Sequence, residues 1–435
     1  MEKLKYLINS WLEKDFSEIY EREFDYSLNE SNKIISFVGV RRSGKTTYLF
    51  QIMRYLLSKN ISRNNLIYIN FEDDRLYPLN GEELNQILPT IEENVEYDKT
   101  KKLYLFLDEI QNMPNWSKWL RRIYDLNENL KIYVTGSSAK LLSREIATEL
   151  SGRTLSLEVF PFSFKEYLDF KKIRYNLKNL EYTKSKNQLI KSFKEYLQEG
   201  GFPEIIIENK NQKLILQNYF DSIFYRDLIQ RYNIKSIKMF EDFLKLLIAN
   251  TSKIVSLSKL EKTLKSIGHK ASKSTLSEYL NYVKEVYFFF PLQVFSYKIK
   301  DQLLYPKKIY SIDNGLINSI SIKFSDNYGI LFENMVFLEL RRQNKDFCYY
   351  ITKNNLEVDF VIKEKLKYSK IIQVCFNLEE NETKIREIKA ITTAMSELKL
   401  KRAYIITLKE KEEIKLGDKT IQVIPFYDFF LNDKH

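Results

Sequence analysis

Cysteine is nearly absent. The only two, Cys348 and Cys375, lie far apart with no CxxC pair, which argues against a disulfide framework or a thiolate zinc site. Glycine (11) and proline (8) are scarce, and no low-complexity tract or internal repeat is present, so flexible linkers are few. Long apolar runs are missing too. The longest, Val286-Tyr287-Phe288-Phe289-Phe290-Pro291-Leu292, is far short of the roughly 18 residues that a membrane span needs. The charged opening MEKLKYLINSWLEKD lacks the pattern of a signal peptide. The expectation is a soluble, cytoplasmic protein with no membrane partner.

What remains is aromatic and charged. Tyrosine (30) and phenylalanine (29) are abundant, hydrophobic residues make up 44% and charged residues 29%, a globular composition. A chain of 435 residues is too long for one core, so two or three domains are expected. The net charge of +11 is compatible with nucleic acid as a partner without requiring it.

After a lead-in helix with Leu4, Leu7, Ile8, Trp11 and Leu12 at helical spacing, residues 34–160 alternate short β-rich runs with amphipathic stretches. The runs 34–38, 66–71, 103–107, 132–135 and 155–159 are mostly continuous in apolar character, as buried parallel strands are. From about 163 the periodicity is helical, opened by a capping box, Ser163 to Glu166, and interrupted at Gly200-Gly201-Phe202-Pro203. Residues 236–300 read as three helices followed by two strand-like pieces. Beyond 305 come a helix near 330–342, strands at 347–352, 357–362 and 370–376, a helix at 383–398 and a strand at 403–407.

Gly39-Val40-Arg41-Arg42-Ser43-Gly44-Lys45-Thr46, followed by Thr47, fits G-x-x-x-x-G-K-[ST] between a strand and an amphipathic helix. Such a loop turns backbone N–H groups toward the phosphates of ATP. Lys45 reaches the β/γ-phosphates and the Thr46 hydroxyl ligates Mg²⁺, beside the positive end of the helix. The strand Leu103–Leu107 ends in Asp108-Glu109. Asp108 is placed to hold Mg²⁺ through water, and Glu109 to orient and deprotonate the attacking water. The next strand ends Thr135-Gly136-Ser137-Ser138. Its hydroxyls suit either the γ-phosphate and water or ordinary turn chemistry.

With these residues in this order, the chain resembles AAA+-type (ASCE) P-loop ATPases. More narrowly, it resembles the archaeal ATPase family that carries a nuclease-like C-terminal domain. The motifs behind the resemblance are GVRRSGKTT (39–47), YINFEDDRL (68–76), LFLDEIQNMPNW (105–116), VTGSSAKLLSREIATELSGRTLSLEVFPFSFKEYL (134–168), EGGFPEI (199–205), YSIDNGL (310–316), LFENMVFLELRR (331–342), EVDFVI (357–362) and IIQVC (371–375). The resemblance implies ATP hydrolysis under the control of assembly or a protein partner. It also implies an arginine that completes a neighbouring subunit's site. Arg153, in Ser151-Gly152-Arg153, occupies that position; Arg41 and Arg42 are alternatives, and a plain surface arginine is the bland reading.

The pattern at 236–300 resembles a winged helix. Residues 235–308 hold fourteen lysines and no arginine against six acidic residues, and Lys270, Lys273 and Lys284 flank the presumed recognition helix near Ser272. Clustered lysine suits DNA phosphates, although winged helices also dock proteins. The last 110 or so residues resemble a PD-(D/E)xK nuclease core, which holds Mg²⁺ on a helix carboxylate and two strand positions, with a lysine beside the second. Glu333 and Asp359 match the first two positions. The third reads Gln373-Val374-Cys375, where cysteine cannot replace an ammonium, and Lys384 or Lys389 on the following helix is a substitute to consider.

The expected architecture is therefore an α/β P-loop ATPase domain (1–165), a helical segment (166–234), a winged helix (235–305) and a degenerate, mixed α/β nuclease-like domain (306–435). Its nucleotide state would gate binding to DNA or protein. The rival readings are an active ATP-dependent nuclease and a protein-binding signalling switch.

Overall fold

The computed structural model describes residues 2–15, 19–77, 81–137, 149–182, 184–208, 210–321, 327–364 and 367–432. Contacts divide the chain into two units, Met1–Phe160 with Glu285–Tyr287, and Pro161–Lys284 with Phe288–His435.

In the first unit, five apolar segments form β1 (Ile34–Val38), β2 (Leu66–Asn70), β3 (Leu103–Asp108), β4 (Leu130–Gly136) and β5 (Thr154–Glu158). They make one all-parallel sheet in the order β2-β3-β4-β1-β5. β1 and β4 are buried along their whole length, which is why they read as unbroken apolar runs rather than alternating ones. Helices α1 (Glu2–Glu13), α2 (Lys45–Ser58), α3 (Glu82–Asn94) and α4 (Trp116–Leu126) accompany the sheet. The lead-in helix α1 is integral to this core. It buries Leu4, Leu7, Ile8 and Trp11, each worth about 1.5–3 kcal/mol, and the Trp11 indole donates to the Leu66 carbonyl at 2.7 Å. Because β4 lies between β1 and β3, the carboxyl ends of three strands, Val38, Asp108 and Gly136, come out side by side.

The second unit begins with α5 (Phe164–Phe170), where the expected capping box forms: Glu166 N–H donates to the Ser163 hydroxyl, and Ser163 N–H donates to the Glu166 carboxylate. Helices α6 (Ser185–Glu199), α7 (Pro203–Glu208) and α8 (Gln212–Ser222) follow, and α8 continues into a π-helical stretch, Ile223–Gln230. Next come α9 (Ile237–Ala249), β6 (Lys253–Val255), α10 (Leu257–Ser266), α11 (Lys273–Glu285), β7 (Phe289–Leu292), α12 (Ile299–Leu304) and β8 (Lys307–Ser311). The antiparallel sheet β6-β8-β7 closes this segment. Two strand expectations need correction here. The second strand-like piece before 300 is not a strand, because Ser296 accepts from Lys298 N–H and the chain turns into α12. The strand that pairs with β7 is β8, a strand that the sequence pattern does not predict.

The remainder comprises α13 (Asn314–Ile320), α14 (Tyr328–Arg342), β9 (Asp346–Ile351), β10 (Glu357–Glu364), β11 (Lys367–Val374), α15 (Asn381–Leu398), β12 (Arg402–Thr407), β13 (Glu412–Leu416), β14 (Lys419–Pro425) and α16 (Phe426–Phe430). The strands form a mixed sheet, β13-β14-β12-β11-β10-β9, parallel through β11, β12 and β14 and antiparallel elsewhere. Its core joins Val358, Val361, Ile371, Ile405 and Ile421 to Ile391 and Met395 of α15.

Two of the sequence motifs meet in this unit. The buried Asp313 carboxylate accepts from the N–H of Gly201 at 2.6 Å and of Leu316 at 2.9 Å, joining the Gly-Gly turn to the start of α13. Burial pushes this carboxyl up to about 6, although the backbone donors pull it down. Asp313→Ala strands both donors, and the expected cost is about 2–5 kcal/mol in denaturant unfolding. The sign of the pH effect follows from the upward shift. This group's contribution to stability is full below its unfolded value of 3.8 and is lost as pH rises through about 6. Unfolding midpoints across that window should show a slope in the wild type that the alanine variant lacks.

Candidate active site

The loop Gly39–Thr47 runs directly from β1 into α2. Gly39 lies so close to β5 that a Cβ there would meet the Val159 carbonyl oxygen at 2.2 Å. Gly44 caps α2 with φ 94°, a left-handed conformation that glycine adopts without penalty. Arg42 is also left-handed, at φ 68°. Lys45, only 5% exposed, folds back over the loop. Its ammonium donates to the carbonyls of Gly39 (3.3 Å) and Val40 (3.2 Å) and lies 3.4 Å from Glu109. Arg41 pairs with Glu72 at 2.8 Å.

Asp108, at the end of β3, is 2% exposed and is held by hydroxyls from three elements. Thr46 of α2 and Tyr68 of β2 each donate to Oδ2 at 2.8 Å, and Thr135 of β4 donates to Oδ1. Burial, then the Glu109 charge, pushes Asp108 above the usual carboxylate range, and the hydroxyls offset this only in part. Glu109 moves the other way. Burial raises it, but the Lys45 ammonium, the Gln111 amide and Arg41 together hold it below its ordinary value. Glu109 sits at φ 52° and its N–H donates to Thr135 Oγ1 at 2.9 Å.

Ser137 is buried and reached by the Gln111 amide at 3.4 Å, so it stands one residue back from Glu109. Ser138 lies outside the described residues. Thr135 is the hydroxyl of that strand tip that reaches the carboxylate. Tyr68, Gln111 and Glu72 were not singled out from the sequence, although Tyr68 and Glu72 lie within the quoted YINFEDDRL and Gln111 within LFLDEIQNMPNW. Arg153 is not brought to this site. It precedes β5 at the amino end of the sheet, with Thr154 opposite Ile34 and Glu158 opposite Val38. That places it about 17 Å along the strand direction from the loop. Its guanidinium holds Asp125 through two hydrogen bonds, of 2.7 and 3.0 Å.

In the second unit, Lys270, Lys273 and Lys284 are exposed. The Ser272 hydroxyl accepts from Thr275 N–H at the start of α11, where the recognition helix was expected to begin. Lys273 and Lys284 stand at opposite ends of that helix, about 16 Å apart. Part of the local lysine excess is used internally, since Lys238 and Lys245 pair with Glu241 and Asp242, and Lys265 with Glu261.

Glu333, Asp359 and Gln373 do converge. Gln373 Oε1 accepts from Asp359 N–H at 3.2 Å, and its amide donates to Glu387 at 2.7 Å. The lysine among these carboxylates is neither Lys384, which pairs with Glu412 at 2.6 Å, nor the exposed Lys389. It is Lys308 of β8, which contacts Glu333, Glu357 and Asp359. Burial pulls this ammonium down, but the Asp359, Glu333 and Glu357 charges outweigh it and hold it well above the ordinary lysine value. Burial, then the Asp359 charge, raises Glu333 to about 8. Cys375, at the position where the motif's lysine would stand, is a buried thiol pushed up to about 12. Among the described residues no group of three or more His, Cys, Asp or Glu is set to hold a metal ion, and no helix is long and apolar enough to cross a membrane.

Comparison with known proteins accounts for the loop and its carboxylates. Residues 31–168 match the family model described as an AAA domain. Residues 190–327 and 328–429 match two domains of unknown function, DUF8612 and DUF4143. Uncharacterized protein MJ1544 of Methanocaldococcus jannaschii is 42% identical over 411 residues, covering 92% of this chain and 88% of the relative. An uncharacterized protein of Haemophilus influenzae is 32% identical over 357 residues, covering 80% of this chain and 83% of the relative. The chain belongs to their family. Its first unit carries a P-loop ATPase domain of the AAA type. Among solved structures, the Walker-type ATPase PABY2304 of Pyrococcus abyssi is similar over 67% of this chain and 92% of its own, at 16% identity and a TM-score of 0.45.

The AAA domain has one further structural contributor with no sequence signal of its own. The buried Arg22 guanidinium donates to the Ser43 carbonyl in the phosphate loop (2.8 Å) and to the Phe160 carbonyl beyond β5 (3.0 Å). It lies over the Tyr48 ring, 5.1 Å from the centroid. Its main chain is clamped by Gln51, which accepts from Arg22 N–H and donates to its carbonyl, both at 2.8 Å. Arg22→Ala should cost about 2–4 kcal/mol in chemical unfolding, from two charge-assisted hydrogen bonds and the lost stacking. Arg22→Lys keeps the charge but not the two-armed fork, and should recover only part of that loss.

Proposed function

We propose that this protein binds and hydrolyses ATP with Mg²⁺, and that its nucleotide state gates binding of DNA or a protein partner by the C-terminal unit. The observation that carries the hydrolytic part is the pair Asp108 and Glu109, adjacent in sequence and pushed in opposite directions by their surroundings. Two neighbouring carboxylates driven apart in this way can take different roles.

The oxygen set of Thr46 and Asp108 fits a hard divalent cation, and the backbone of the loop fits phosphate. Bound Mg²⁺ supplies charge neutralisation at the transferred phosphoryl group. The residues of the chain do the rest. Lys45, held by contacts of 3.2–3.4 Å, is free to exchange carbonyls and Glu109 for phosphate oxygens. Glu109, released from Lys45 and still held by the Gln111 amide, accepts the proton of the attacking water. Gln111 and Ser137 position Glu109. Arg153, standing at the far end of β5, serves a neighbouring copy rather than its own site in this reading, and Arg41 or Arg42 takes that part within the chain.

For the second unit, the helix–strand–helix–helix–strand–helix–strand order from α9 to β8, with the three strands in one antiparallel sheet, supports a winged helix. The exposed Lys270, Lys273 and Lys284 support contact with DNA phosphates. Glu333, Asp359 and Gln373 support a nuclease-like scaffold. Cys375, standing where an ammonium is needed, supports a scaffold that binds without cutting.

Lys45→Ala should abolish ATP turnover, and hydrolysis at the wild-type rate would overturn the proposal. Glu109→Gln should bind ATP normally and turn it over 10²–10⁴-fold more slowly, the usual worth of a general base. Steady-state turnover and nucleotide titration separate these effects. DNA affinity should fall steeply with added salt and weaken further in Lys273→Glu; negligible binding at low salt would favour a protein partner instead. The reading as an active nuclease is favoured by the convergence of Glu333 with Asp359. It would be established by Mg²⁺- or Mn²⁺-dependent DNA cleavage that disappears in both Glu333→Ala and Asp359→Ala.

A further inference from the structure

Lys308 enters the second unit from β8 with its side chain 1% exposed, and its ammonium lies 2.6 Å from Glu333 on α14, 2.6 Å from Glu357 and 2.7 Å from Asp359 on β10. Its three N–H donors are matched by three carboxylates, so no donor is left over. Two of the carboxylates are anchored independently of the lysine. Tyr310 donates to Glu333 at 2.6 Å, and Val374 N–H donates to the second oxygen of Asp359 at 2.9 Å. The carboxylates come from a helix and a strand, and the cation comes from a third element.

Three carboxylate oxygens around one point is the arrangement of a cation site. The charges do not balance. Asp359 is buried, Glu333 is half-buried and Glu357 is exposed at the rim of the cluster, and a single ammonium faces all three. A doubly charged ion of suitable size would neutralise this cluster better than the lysine does. The lysine holds the place because it is tethered there.

We propose that Lys308 is a built-in cation: its ammonium fills a three-carboxylate site, excludes divalent metal from it, and thereby keeps the C-terminal unit a scaffold that does not depend on metal. This rests on the reading of that unit as nuclease-like but non-cutting, and it adds the physical reason. It also predicts a latent site. Removing the amine while leaving the three carboxylates should convert the cluster into one that binds a divalent cation.

The test uses the full-length, nucleotide-free chain and Mn²⁺, with the free ion counted by electron paramagnetic resonance. Wild type should show no Mn²⁺ binding that Asp359→Asn removes. Lys308→Ala should gain about one Mn²⁺ per chain, lose it again in Lys308→Ala/Asp359→Asn, and melt several degrees higher in Mn²⁺ than in EDTA. A wild-type Mn²⁺ site that disappears in Asp359→Asn overturns the proposal. So does a folded Lys308→Ala that gains no Mn²⁺, or one that stays unfolded in Mn²⁺ as it does in EDTA. The wild-type comparison stands whether or not the variant folds. Failure of the underlying reading looks different: wild-type DNA cleavage that Glu333→Ala abolishes would show a cutting enzyme, and that assay is read separately from Mn²⁺ occupancy.

Discussion

Three hydroxyl groups from three separate elements converge on the Asp108 carboxylate, and the AAA domain is arranged so that they can. Thr46 arrives on the first turn of α2, Tyr68 on β2 and Thr135 on β4. This requires β3 to lie between β2 and β4, and β1 to deliver its loop beside β4, which is the strand order observed. A carboxylate buried without partners would be far too costly to keep ionised. Hydroxyl donors reduce that cost without adding a fixed positive charge, so the carboxylate keeps its ability to attract a cation. An arginine or lysine in the place of any of the three would stabilise Asp108 more and leave it less able to do so.

Glu109 shows the complementary solution one residue later. Its left-handed backbone, at φ 52°, is uncommon for a residue with a side chain and carries a modest energetic cost. The turn sets the two carboxylates toward different partners, Asp108 toward hydroxyls and Glu109 toward Lys45 and Gln111. An ordinary extended continuation of β3 would place successive side chains on opposite faces of the sheet. The strain is what keeps both acids at one site with different surroundings.

The sequence made the phosphate loop, the Asp-Glu pair and the five-strand sheet legible because each is local. The loop is nine contiguous residues, and buried parallel strands show as continuous apolar runs. What stayed hidden depends on distant pairing. Thr135 was visible as one hydroxyl among several, but only the register of β3 against β4 brings it, rather than Ser137, to Asp108. Arg22 sits in an unremarkable acidic stretch, and its importance comes from two carbonyls that it reaches at positions 43 and 160. The small sheet was misplaced for a related reason. β6 is only three residues long, and β7 is separated from its partner β8 by α12, so the short-range hairpin signal pointed to the wrong second strand. Lys308 is one of fourteen lysines in residues 235–308, and nothing in Pro306-Lys307-Lys308-Ile309 distinguishes it in sequence from the half-buried Lys307 beside it.

Lys45 and Lys308 together show how one residue type can be a working part or a fixed one. Both are buried lysines facing acidic groups. Lys45 meets one carboxylate at 3.4 Å and two carbonyls at 3.2–3.3 Å, contacts that are weak individually and easily exchanged for phosphate oxygens. Lys308 meets three carboxylates at 2.6–2.7 Å, short charge-assisted contacts that leave no donor to offer a ligand. A lysine in the first situation gains by changing partners, and one in the second only loses. This difference in saturation, more than the identity of the residues, separates a lysine that can change partners from one that is fixed in place.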